Sequence, residues 1–306
     1  MNNVLVLGGD GFTGRHFIRW AKECNLGKYN KFIGASINDE SVPMYDDWIK
    51  VDITNEGSIT GAFKNLKIEY VLNLAGLIRS NSYSLLHQVN AEASFFLMNF
   101  FAQQTTIKKI LLVGSAAEYG TPVKLPLKEV DECRPLSPYG LSKLSQTLYA
   151  KYLSRTLSVP VIIARTFNIL GHGMPDNLAI GSFVSKITAA KNGDTITTGD
   201  LSPKRDYLTI DDVCDAYWRL LMSGKSGQVY NVCAGVPISM KEILDVMITA
   251  SGKNLIVEQH HELTTSGKDV PDIYGDNSLL VYETGWGQKI PVLKTAAEIV
   301  IQQCGN

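Results

Sequence analysis

The chain has 306 residues, 45% of them hydrophobic and 19% charged, enough to enclose one large α/β domain or a main domain with a smaller lobe. A formal net charge of -1 provides no global attraction to nucleic acid or anionic membrane, so neither is expected as a partner and anion recognition must come from local patches. Five cysteines (24, 133, 214, 233 and 304) without a C-x-x-C pair argue against disulfides or zinc and for reduced, mostly buried thiols. Adjacent His260 and His261 cannot share one face of a helix or strand, so no metal is expected.

Met1-Asn2-Asn3 leads directly into an apolar run at 4–7, with no basic stretch and cleavage site, and the longest apolar stretches are too short to span a bilayer. A cytoplasmic location is expected. The run at 4–7 reads as a buried strand, followed by a helix over 12–24 and strands over 31–37 and 48–51. A helix over 55–66, a strand over 70–75, a helix over 89–104 and a strand over 109–113 come next. Residues 138–156 read as helix and 159–164 as strand. This alternation predicts βαβ units in a doubly wound parallel sheet. Beyond about residue 171 helices are expected at 183–191, 211–222, 240–250 and 292–303, separated by short strands. The division is therefore a dinucleotide-binding domain over 1–170 and a smaller mixed α/β lobe over 171–306, interleaved with the end of the sheet.

Gly8, Gly11 and Gly14 follow the first strand and open the first helix, the context in which a glycine loop binds a dinucleotide in a Rossmann sheet. Gly8 permits the tight turn, Gly11 lets amides approach a pyrophosphate, and Gly14 lets the helix pack closely. The helix N-terminus, at Phe12 and Arg15, favours phosphate. An acid ending the second strand would hold the adenosine ribose, but that strand ends Gly34-Ala35-Ser36-Ile37, with Asn38 and Asp39 beyond it. Nothing at Ala35 or Ser36 repels a 2′-phosphate and Arg15 follows the last glycine, which favours NADPH, with NADH as the alternative. Asp52, with Ile53 beside it, either accepts from the adenine amino group or serves the turn before Asn55.

Ser137-Pro138-Tyr139-Gly140-Leu141-Ser142-Lys143 contains Y-x-x-x-K after an N-cap serine and a first-turn proline. The i, i+4 spacing puts Tyr139 and Lys143 on one helix face, where the ammonium is expected to lower the phenol pKa and fit it for proton transfer. Ser115 ends the preceding strand, at the carboxyl edge where ligands lie in open α/β sheets, and its hydroxyl can polarise the same substrate oxygen.

With these residues together, the sequence resembles the extended short-chain dehydrogenase/reductase family over essentially its whole length. The likeness rests on the glycine loop, Asn73-Leu74-Ala75-Gly76, Ser115, Tyr139 to Lys143, and Lys204-Arg205-Asp206-Tyr207. Within that family it is most similar to reductases of GDP-4-keto-6-deoxyhexoses, through Gly114 to Gly120, Arg165-Thr166-Phe167-Asn168, Gln228 to Cys233, and Asp269-Val270-Pro271 to Gly285-Trp286. The resemblance implies Ser115, Tyr139 and Lys143 as catalytic residues. Leu74, Ala75, Gly76, Tyr139, Lys143 and Phe167 would be cofactor contacts, although 74–76 also reads as a plain βα turn. It implies Asn168 and Arg205 as ligands of a nucleotide-sugar diphosphate, with Arg205 otherwise pairing Asp206 or Asp211. Where related reductases carry Arg-Pro in the late motif, this chain offers Lys268 as a point charge.

In the 4,6-dehydratases of the family, Asp-Glu follows the catalytic Ser or Thr; here the positions are Ala116 and Ala117, without acid or base. The expected activity is thus NAD(P)H-dependent reduction of a 4-keto group on a nucleoside-diphosphate 6-deoxyhexose, with GDP favoured over dTDP, CDP or UDP. NAD-dependent 4-epimerisation is the enzymatic alternative, and a non-catalytic NAD(P)-binding regulator the alternative of another class. The family also implies a homodimer built on the helices at 89–104 and 138–156.

Overall fold

The computed structural model describes residues 1–260 and 272–305. The short apolar runs of the first half form strands β1 (Asn2–Leu7), β2 (Asn30–Ser36), β3 (Asp47–Lys50), β4 (Tyr70–Asn73), β5 (Lys109–Ser115) and β6 (Val161–Thr166). Between them lie α1 (Phe12–Glu23), α2 (Glu56–Phe63), α3 (Tyr83–His87), α4 (Ala93–Ala102) and α5 (Pro138–Thr156). The second half supplies β7 (Asn168–Leu170), α6 (Ala179–Ala189), β8 (Thr195–Thr198), β9 (Lys204–Thr209), α7 (Ile210–Ser223) and β10 (Val229–Val232). It continues with β11 (Pro237–Ser239), α8 (Met240–Ser251), β12 (Ile256–Gln259), β13 (Asp272–Ile273), α9 (Ser278–Thr284) and α10 (Val292–Cys304).

The main sheet has seven strands in the order β10-β6-β5-β4-β1-β2-β3, every pair parallel. Strand residues alternate between two cores, as a sheet covered on both faces requires. Val4, Val6, Leu72 and Leu111 pack with Phe17 of α1 and Leu220 of α7, whereas Leu5, Leu7, Val71 and Ile110 pack with Phe63 of α2, Leu97 of α4 and Leu153 of α5. Chain reversal between β4 and β1 leaves a crevice at the carboxyl ends of the strands, the usual ligand position in such sheets. A third core, including Ile187, Leu244 and Val300, joins α6, α8 and α10 beside the small sheet β11-β9-β13, to which β7 pairs.

Two elements differ from the sequence expectation. The helix expected at 89 starts at Tyr83, where the Ser82 hydroxyl accepts the Leu85 amide, and reaches α4 through a π-helical turn, Gln88–Glu92. The seven-residue α9 was not expected; only Leu280 in it is buried, too little to make a helical period. Of the thiols, Cys214 and Cys233 are buried and Cys24 is exposed, so the mostly buried expectation holds for two of the five. No helix among the described residues is long and apolar enough to cross a membrane.

Candidate active site

The glycine loop is shaped by contacts that side chains would break. Gly8 has φ +71°, and a Cβ there would stand 2.8 Å from the Ala75 amide nitrogen. A Cβ on Gly14 would lie 2.7 Å from the Gly9 backbone and against the Gly8 carbonyl. Gly11 is the N-cap of α1 and no side chain caps that helix end. The result is a bare backbone cradle at a helix N-terminus, which fits a dinucleotide pyrophosphate. Beside it, the Phe12 ring lies 4.7 Å from that of His16, and exposed Arg15 donates its Nε to the Asp10 carbonyl at 2.8 Å.

At the next strand end, Asp52 Oδ1 accepts from the amide (2.9 Å) and hydroxyl (2.7 Å) of Thr54, while Asn55 caps α2. The turn role of Asp52 is therefore realised through one carboxylate oxygen. Ile53 packs onto the core on the α2 face. The Leu74-Ala75-Gly76 turn crosses Gly8 closely, and a Cβ on Gly76 would be 3.3 Å from Lys143 Nζ. Phe167 stands apart, its ring buried in a small cluster with Tyr119, Leu127 and Cys233.

Helix α5 begins as its sequence dictates: the Ser137 hydroxyl accepts the Gly140 amide and Pro138 occupies the first turn. Ser115 closes β5, and its Oγ accepts the Ala117 amide at 3.1 Å in a capping box completed by Glu118. The Ser115 side chain stands close enough to the Tyr139 phenol to act on its titration, so the serine and tyrosine meet. The phenol pKa is raised, chiefly by burial, with Ser115 working in the opposite direction. This corrects the expectation that Lys143 lowers it. The Lys143 ammonium turns instead to the Val113 carbonyl (2.9 Å) and Gln146 Oε1 (3.0 Å). Burial pushes Lys143 down to about 8, with Glu118 opposing.

Several residues at the site escaped sequence reading. Asn90, fully buried in the π-helical turn, exchanges hydrogen bonds with the Leu77 amide and carbonyl at 2.8 Å each and donates to Ser142 Oγ at 2.9 Å. Ser142 in turn donates to the Tyr139 carbonyl, so Asn90 ties the turn after β4 to the head of α5. Its one signal was a polar residue within an apolar helical stretch. Buried Glu118 pairs with Arg165 at 2.9 Å, accepts from Thr147 at 2.9 Å and receives the Ser115 amide at 2.8 Å. These bonds fix the strand end that carries the serine.

Asn168 and Arg205 line one cavity of about 450 Å³, together with Arg79 from the loop after β4. Asn168 donates to the Asp206 carbonyl at 2.9 Å. Arg205 Nη1 donates to the Lys204 carbonyl at 2.9 Å; the Asp206 carboxylate accepts the amides of Ala234, Gly235 and Gly275, and Asp211 pairs with Arg19 at 2.9 Å. Lys268 lies outside the described residues. Among the described residues there is no group of three His, Cys, Asp or Glu able to hold a metal.

The sequence model of the NAD dependent epimerase/dehydratase family matches residues 4–233. The chain is 26% identical over 286 residues to the GDP-6-deoxy-D-talose 4-dehydrogenase of Aggregatibacter actinomycetemcomitans, covering 92% of this chain and 91% of that one. It is 28% identical over 218 residues to the GDP-6-deoxy-D-mannose reductase of Pseudomonas aeruginosa, covering 70% and 71%. In structure it resembles RMD from Pseudomonas aeruginosa, solved with NADPH, with a TM-score of 0.84, 23% identity, and coverage of 100% and 98%.

Proposed function

From the premise that the chain belongs to the NAD dependent epimerase/dehydratase family, we propose that it reduces the C4 keto group of a nucleoside-diphosphate 4-keto-6-deoxyhexose, GDP-linked by preference, in deoxysugar biosynthesis. The observation that carries this reading is the Ser115–Tyr139 contact over buried Lys143, beside Ala116 and Ala117, which supply no acid or base for dehydration. Two relatives named as a dehydrogenase and a reductase of GDP-6-deoxyhexoses support the substrate class.

A nicotinamide dinucleotide, when bound, would supply the hydride for the keto carbon; the glycine cradle would hold its pyrophosphate, and the 74–76 turn and Lys143 would hold the rest. Tyr139 donates its proton to the C4 oxygen. A phenol held above its ordinary pKa keeps that proton until the carbonyl oxygen gains negative charge. Ser115 hydrogen-bonds the same oxygen, while the Lys143 ammonium, held on the Val113 carbonyl and Gln146 Oε1, lies beside the 74–76 turn on the cofactor side of the site. Arg205, Arg79 and Asn168 hold the diphosphate, the arginines through their charged forks.

Leu141, Leu148 and Tyr152 form an exposed apolar stripe on α5, at the helical spacing of one face. A second copy of the chain covers it in a homodimer, which removes these apolar side chains from water.

The test is purified protein with NADH or NADPH and GDP-, dTDP-, CDP- and UDP-linked 4-keto-6-deoxyhexoses. Cofactor oxidation with formation of the 4-hydroxy sugar, fastest with GDP, is expected; no oxidation with any of them overturns the reading. Co-purified NAD, held in equal amount and never consumed while a sugar inverts at C4, would instead identify an epimerase.

A further inference from the structure

We propose that Asp10 makes the site select NADH over NADPH; this rests on the dinucleotide reading of the glycine loop. In dinucleotide-binding sheets the ribose 2′-hydroxyl is held by an acid at the end of the second strand, and a 2′-phosphate is rejected there. Here β2 ends at Ser36 and has no acid at Ala35 or Ser36. The structure brings one from elsewhere: Asp10, inside the glycine loop, reaches the segment just past β2, where its Oδ2 accepts Asn38 Nδ2 at 2.7 Å.

Asn38 is itself fixed. Its amide donates to Ser36 Oγ at 3.2 Å, and its carbonyl accepts Trp48 Nε1 at 3.3 Å. Trp48 can lie there because Gly34 has no side chain; a Cβ on Gly34 would collide with the indole and stand 2.8 Å from the Tyr45 ring. The Asp10 carboxylate is thus anchored beside the strand end that receives the adenosine ribose. A ribose 2′-hydroxyl can donate to it, whereas a 2′-phosphate brings up to about two negative charges against it.

Among the described residues no ion pair joins a cation to the Asp10 carboxylate: Arg15 reaches the Asp10 carbonyl through Nε at 2.8 Å, and Lys50 pairs with Asp39 at 3.5 Å. The lean toward NADPH drawn from the strand end and Arg15 is therefore reversed by a residue whose place at that strand end is visible only in the fold.

Direct titration of NADH and NADPH by nicotinamide fluorescence, without sugar, tests this independently of the reduction. Wild type is expected to bind NADH about tenfold or more tighter than NADPH, the scale on which like charges at a binding site discriminate. That gap should shrink as salt is raised, because half-exposed charges are screened. Asp10→Asn should bring the two affinities to within about threefold, and Asp10→Arg should invert the order, with thermal melts verifying that both variants fold. Equal or tighter NADPH binding by wild type, or an unchanged gap in both folded variants, overturns the proposal. Failure to bind either nucleotide overturns it together with the dinucleotide reading, while selective binding without sugar reduction removes only the substrate assignment.

Discussion

In the proposed reaction Tyr139 gives its proton to the substrate oxygen, and replacing it tests that role. Tyr139→Phe should lower kcat by about 10²–10⁴-fold, the range for loss of a positioned acid, with NADH or NADPH affinity in fluorescence titration little changed. The pH profile tests Lys143. Its folded pKa lies near 8, below its ordinary 10.5, so the ammonium is present below about 8 and lost as pH rises through it. The rate of reduction should therefore fall on the alkaline side of about 8, and Lys143→Met should be slow with that limb missing. An unchanged limb in the variant would assign it to another group. Tyr139, Lys143 and the three glycines were legible in the sequence because helical spacing and a strand–turn–helix context are local properties. The role of Asn90, the Arg79 side of the cavity and the position of Asp10 were not, since each depends on segments distant in sequence that meet only through the fold. The direction of the tyrosine shift was misread for the same reason: spacing revealed a neighbouring lysine, but not the burial that outweighs it.

At the scale of elements, two buried carboxylates hold the strands that present the site. Glu118 and Arg165 are almost completely buried and joined across β5 and β6, and removing one partner leaves an uncompensated charge. Glu118→Ala should cost about 3–5 kcal/mol in urea unfolding. Asp206 fixes β9 to the loops at 234–235 and 275, and burial pushes it up to about 6. In Asp206→Asn one amide oxygen replaces two carboxylate oxygens for three N–H donors, so a loss of about 1–3 kcal/mol is expected near neutral pH. The pH dependence has a definite sign. Between the ordinary value of 3.8 and about 6 the folded protein keeps a proton on Asp206 that the unfolded chain has released. Its contribution to stability is therefore greatest at acid pH and declines as pH rises through 6. The stability of wild type relative to Asp206→Asn should decline across that window, as measured by urea unfolding at a series of pH values. The order of strands and helices was legible because period and punctuation encode it, whereas the buried ionic anchors are set by which strands become neighbours.

For the whole molecule, the parallel sheet brings the glycine loop, the β4 turn and the β5 end to one edge, while the chain's second half adds the cavity wall with Asn168 and Arg205. The opposite consequence of the same architecture is the apolar stripe on α5, turned away from the core. Leu148→Arg should convert the proposed dimer into a folded monomer in analytical ultracentrifugation; an unchanged sedimentation coefficient would place the subunit contact elsewhere. The central claim concerns where the hydride goes. The most direct measurement is incubation with GDP-4-keto-6-deoxyhexose and nicotinamide cofactor deuterated at the transferring position, followed by mass spectrometry and NMR of the sugar. Deuterium bound to C4 of the product, absent with Tyr139→Phe, is the predicted result. Unlabelled sugar with the cofactor unconsumed, or deuterium at another carbon, would contradict it.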